Sequence, residues 1–186
     1  MLGGGGRIAG TRNVLADSLS RSKSLLHTEW TLNRLTLQVV WQHWFTPMID
    51  LFATCFNHRL PIYVSPVPDP RAYAIDALSL PWSGLIAYAF PPFPILHKVI
   101  RKARLERPRL ILITPWWPTQ SWFPDLKSLS HVPPLPLPRR RDMLRQPRSG
   151  HPHSNPQMLR LHAWLLGQPQ CEHIPHPHTR TDPSLS

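Results

Sequence analysis

Twenty-four prolines in 186 residues constrain this chain more than any other feature. Each proline fixes φ and removes a backbone donor, so helices and central strands are confined to the stretches between them. The usual proline share is about 5%. Much of the excess falls late, where Pro133-Pro134-Leu135-Pro136-Leu137-Pro138 runs directly into Arg139-Arg140-Arg141. That stretch predicts an extended polyproline II segment leading into a solvated basic one. An apolar fraction of 41% argues against full disorder. The proline pattern argues equally against one compact domain filling the whole length.

Composition narrows the class further. Lys and Arg number 21 against 10 Asp and Glu, a net charge of +11. Cys55 and Cys171 are too few for a disulfide framework or a four-thiolate zinc site. Apolar runs fall short of the ~20 residues that span a bilayer, and the glycine-rich start, Met1 to Gly6, lacks the apolar core of a signal peptide. The expectation is an intracellular chain, nuclear or cytoplasmic, neither secreted nor membrane-bound.

Three divisions follow: a flexible start at 1–24, an α/β domain at 25–126, and a largely disordered Pro/Arg/His-rich tail at 127–186. Leu32, Leu35, Val39 and Val40 fall at helical spacing, with Thr28 as a candidate N-cap. Ile49–Phe52, Ile62–Val64 and Leu85–Phe90 read as short buried strands. Leu96, Val99, Ile100 and Ala103 form one helical face opposite Lys98, Arg101, Lys102 and Arg104. Pro108 stops that helix, and Leu110–Ile113 follows as a strand. Strand, helix and strand in this order predict a small parallel sheet with covered faces. Ligands bind such sheets at the carboxyl ends of the strands, which directs attention to Asp50 and to the Phe90-Pro91-Pro92-Phe93 turn.

Two stretches carry family resemblances. Asn13-Val14-Leu15-Ala16-Asp17-Ser18-Leu19-Ser20-Arg21 resembles the end of the RNase H domain in retroelement polyproteins. There the aspartate is one of several carboxylates holding two magnesium ions. Asp17 stands alone here, with no Asp or Glu among the 16 residues before it, so magnesium is implied only for a complete RNase H domain. The second stretch runs from Trp44-Phe45-Thr46-Pro47-Met48-Ile49-Asp50-Leu51-Phe52-Ala53 through Asn57 to Ser65. It continues through Asp76-Ala77-Leu78, Trp82 and Tyr88 to Phe93, and ends with Pro115 to Phe123. This order resembles the region after RNase H in DIRS-type retrotransposons, itself similar to Dam-like adenine-N6 methyltransferases.

That resemblance implies a Rossmann-like fold, incomplete here, with S-adenosylmethionine bound near Asp50, Phe52 and Ala53. It implies a catalytic turn at Phe90 to Phe93. The family carries Asn or Asp where Phe90 stands, and phenylalanine accepts no hydrogen bond from an adenine amino group. Thr54-Cys55-Phe56 also replaces the family's glycine-rich turn. The expectation is a retroelement polyprotein fragment without catalysis or cofactor, Met1 lying inside a longer reading frame, with the rest of the polyprotein as partner. Non-specific nucleic-acid binding would fall to Lys98, Arg101, Lys102, Arg104 and Arg139–Arg141. The alternative is an adenine-N6 methyltransferase with an altered turn. A third reading keeps only a basic nucleic-acid-binding protein on the remnant fold. Most tryptophans are expected in the core rather than stacked on bases, and Cys171, His173, His176 and His178 make no folded metal module.

Overall fold

The computed structural model describes residues 30–167. The chain opens with a two-residue strand, β1 (Thr31–Leu32), and helix α1 (Arg34–His43). Asn33 caps α1, its side chain accepting from the N–H groups of Leu35 at 2.9 Å and Thr36 at 3.2 Å. Thr28, the expected cap, lies outside the described residues, and Leu32 belongs to the strand. Asn33 also donates its backbone N–H to Met143 O at 2.8 Å and its side-chain amide to Asp142. These bonds fix the rotation of α1 so that Leu37 and Val40 are buried, while Leu35 and Val39 stand 66% and 61% exposed. The expected apolar stripe therefore faces outward at those two positions.

Next come β2 (Ile49–Asp50), β3 (Ile62–Ser65), β4 (Ala74–Ile75) and β5 (Ile86–Ala89). A short 3-10 turn (Phe93–Ile95) enters helix α2 (Leu96–Glu106), followed by β6 (Arg109–Pro115). Helix α2 buries Leu96, Val99, Ile100 and Ala103, the face its spacing predicts. It ends at Arg107, whose left-handed φ of 49° lets its N–H return to Ala103 O.

Helix α3 (Phe123–Leu129) precedes β7 (Leu135–Pro136), β8 (Leu144–Arg145), a second 3-10 turn (Pro156–Leu159) and β9 (Leu161–Leu166). The main sheet has seven strands in the order β4-β3-β2-β5-β6-β9-β7, while β1 pairs with β8 in a separate ribbon. The first five strands are mutually parallel, and β9 runs antiparallel to both β6 and β7. The fold is thus mixed α/β with a mostly parallel sheet. The sheet is larger than expected, because residues read as tail supply β7 and β9. Prolines enter it where chemistry permits: β7 lies at the sheet edge, where a missing N–H leaves no ladder bond open on the outer side.

Alternate side chains of the strands point to two cores. On one face Ile49, Leu51, Ala87, Leu110, Leu112 and Trp164 meet α2 and α3. On the other Tyr88, Ile111, Ile113 and Ala163 meet α1 and the Leu137–Leu144 segment. Gly167 closes β9 at φ 96°, and a Cβ there would stand 2.2 Å from Pro108 O. Backbone cannot yield as a flexible side chain does. Gly167→Ala is expected to destabilise by about 2 kcal/mol or more, read as a lower denaturation midpoint at unchanged slope; an unchanged midpoint would contradict the close approach.

Candidate functional site

In the sheet, β2 leads sideways to β3 and β4, while β5 leads the opposite way to β6. The crevice at such a reversal, beyond the carboxyl ends of the strands, is where open α/β sheets hold ligands. A cavity of about 650 Å³ lies there. Its floor is Leu51 and Phe52 after β2 and Pro66 after β3, and Asp76 to Leu78 after β4 forms a wall. The turn after β5, Phe90 to Ile95, forms the opposite wall. Trp30, His153 and Leu159 also line it, and the Trp30 and His153 rings meet edge-on at 4.6 Å.

The structure brings Phe90, Pro91, Pro92, Phe93 and Phe52 together around this cavity. Phe90 and Phe93 pack at 6.2 Å, and Phe93 reaches Trp117 at 5.2 Å. Proline at 91 and 92 holds the turn rigid. Trp82 and Trp164 are core residues, with 0% and 1% exposure, whereas Trp116 and Trp117 pack only partly buried against that core.

Asp50 and Ala53 do not join Phe52 at the cavity, which corrects the expected cofactor trio. Successive strand residues point to opposite faces. With Ile49 and Leu51 in the core beneath α2, Asp50 is directed to the other side, where it is 2% exposed. Its Oδ2 accepts from Arg59 N–H at 2.9 Å, and its Oδ1 has no hydrogen-bond partner. The Arg59 guanidinium donates to Leu32 O at 2.6 Å instead of closing an ion pair with Asp50. Burial dominates, so the Asp50 carboxyl is pushed up to about 7 despite the Arg59 amide and charge. The same burial raises Tyr88, whose register position is beside Asp50.

The loop after β2 is closed on itself. Ala53 N–H donates to Val64 O at 3.2 Å and Thr54 N–H to Asn57 Oδ1 at 2.6 Å. Phe56 N–H reaches Thr54 Oγ1, and Asn57 and His58 donate to Thr54 O. A glycine-rich turn would offer such amides to a ligand; here they are spent within the loop and on β3. The methyl-donor contact implied by the resemblance does not fit this loop.

The basic residues separate by layer. Lys102 bonds Glu106 at 2.5 Å and lies over the Trp82 ring, and Arg104 pairs with Asp125 at 2.8 Å. Lys98 and Arg101 remain without ion pairs among the described residues. Arg140 pairs with Asp142 through two hydrogen bonds. Arg139 to Arg141 follow Leu137, which packs on the face opposite α2. The two basic groups thus do not form one surface. Asp17 and the Cys171–His178 group lie outside the described residues. Among the described residues no group of three or more His, Cys, Asp or Glu could hold a metal, and no helix is long and apolar enough to cross a membrane.

Sequence reasoning missed Trp30, Asn57, His153 and Leu159 as cavity residues. No local pattern marks them: Trp30 and His153 meet because β1 pairs with β8 across more than a hundred residues. No protein-family model matches the chain, and no curated protein matches it.

Proposed function

We propose that this chain is a retroelement-derived, methyltransferase-like α/β domain that associates with nucleic acid and carries out no methyl transfer. The carrying observation is Phe90, which lines the switch-point cavity beside Pro91, Pro92 and Phe93. A transferring turn places an oxygen there to accept from the target amino group; a phenyl ring leaves that donor unpaired and desolvated. The self-satisfied loop at 53–58 supports the same conclusion. Strand order supports the Rossmann-like part of the reading, with its reversal between β2 and β5. Net positive charge supports the partner class.

Incubating the full chain with labelled S-adenosylmethionine and adenine-containing DNA is expected to give no label in DNA. Phe90→Asn alone restores none, because the loop amides remain engaged. Label transferred by the wild-type protein would overturn this reading in favour of an adenine-N6 methyltransferase with an altered turn.

A further inference from the structure

We infer that the β1–β8 ribbon, not helix α2, is the surface that takes nucleic acid, and that it takes a single strand. This rests on the nucleic-acid reading above and assigns its location. The antiparallel ribbon sets Thr31 opposite Arg145, and Asn33 is bonded to Asp142 and Met143. Arg34, next to Asn33, thereby joins Arg139, Arg141 and Arg145, residues more than a hundred positions away. All four are exposed and carry no ion pair among the described residues. The one acid between residues 126 and 171, Asp142, is already held by Arg140. The ribbon thus sets five guanidinium groups, those of Arg34, Arg139, Arg140, Arg141 and Arg145, against the one carboxylate of Asp142, an excess that suits phosphate oxygens. Helix α2 offers only Lys98 and Arg101 beside acids at Glu106 and Asp125.

The ribbon also leads to aromatic surface. Arg145 bridges Pro152, and His153 N–H donates to Leu144 O, so the ribbon continues to the cavity mouth at His153 and Trp30. Three residues past β8 the Arg148 guanidinium stands 4.8 Å from the Phe56 ring centroid, and Phe56 is 57% exposed. Exposed guanidinium groups on the ribbon, with an exposed ring against Arg148 close behind it in sequence, match a strand whose bases are free to stack. Duplex bases are already stacked and cannot use that ring.

The test is fluorescence anisotropy of the full chain with a labelled single-stranded oligonucleotide, a duplex of equal length, and a salt series. Replacing Arg34, Arg139, Arg141 and Arg145 together by Gln is expected to weaken single-strand binding more than about tenfold. The slope of log K against log salt should flatten by about 3, near 0.7 per lost phosphate contact. Replacing Lys98 and Arg101 by Gln should change affinity less than about twofold. Should the fourfold variant melt early, Arg139→Gln with Arg141→Gln, both outside strands, must still flatten the slope by about 1.4. Ribbon variants that keep wild-type affinity, or α2 variants that lose as much, overturn the location while the nucleic-acid reading stands. A duplex bound more tightly overturns the single-strand assignment. No binding by the wild-type chain overturns the nucleic-acid reading itself.

Discussion

Asp50→Asn is expected to stabilise the protein at pH 8 and to leave its stability near pH 4 almost unchanged. In the unfolded chain an aspartate titrates at about 3.9; in the folded protein burial pushes Asp50 up to about 7. Between those values the native state holds a proton that the unfolded state has released. Stability contributed by this group is therefore complete below the unfolded value and is lost as pH rises toward the folded one. Asparagine keeps the shape and the acceptor for Arg59 N–H but has no proton to lose. Three pH units correspond to about 4 kcal/mol as a ceiling, so a gain of a few kcal/mol above neutrality is expected. Chemical denaturation of both proteins from about pH 4 to pH 8 measures it. A difference that stays constant across that range would show that Asp50 does not titrate near neutrality in the fold.

Asp50 also illustrates what the sequence could convey. Its place near the start of the apolar run Ile49–Phe52 marked a strand, and the structure pairs that strand in parallel on both sides. The direction of its side chain followed from register alone, since a shift by one residue exchanges the two faces. Phe52, two residues on, lies past the end of β2, where the alternation no longer holds, and so reaches the cavity where Asp50 does not. The clearest elements were those whose burial repeats locally. Leu96, Val99, Ile100 and Ala103 announced α2 at helical spacing, and Leu110–Ile113 announced β6. Helix α1 was located but its outward face was misjudged, because two apolar stripes competed and the choice lay with Asp142 and Met143, far along the chain. The turn from Phe90 to Phe93 was visible because it depends on adjacent residues. Trp30 and His153 were not, because only strand pairing at long range unites them.

The proline-rich boundary was the largest departure, and it makes the strongest prediction: a chain ending at residue 126 will not fold cooperatively. That boundary follows composition, but the sheet crosses it. Strand β9 pairs with β6 along six residues, from Leu110 opposite Leu166 to Pro115 opposite Leu161. It buries Leu161, Ala163, Trp164 and Leu166, all at 4% exposure or less, and Trp164 donates to Thr114 Oγ1 at 2.9 Å inside the core. Leu137, Met143 and Leu144 cover the opposite face. At about 2 kcal/mol for each large side chain, these residues contribute about 12 kcal/mol of burial, comparable to the whole net stability of a domain, roughly 5–15 kcal/mol. Their removal would also leave β6 as a long apolar edge, with Ile111 and Ile113 uncovered, which promotes association. Thermal melts followed by near-ultraviolet circular dichroism should show a cooperative transition for a chain ending at 167, which keeps every strand of the sheet. The shorter chain should show none and should aggregate. If the chain ending at 126 melts cooperatively at the same temperature, β9 is a peripheral addition and not the seventh strand that completes the core.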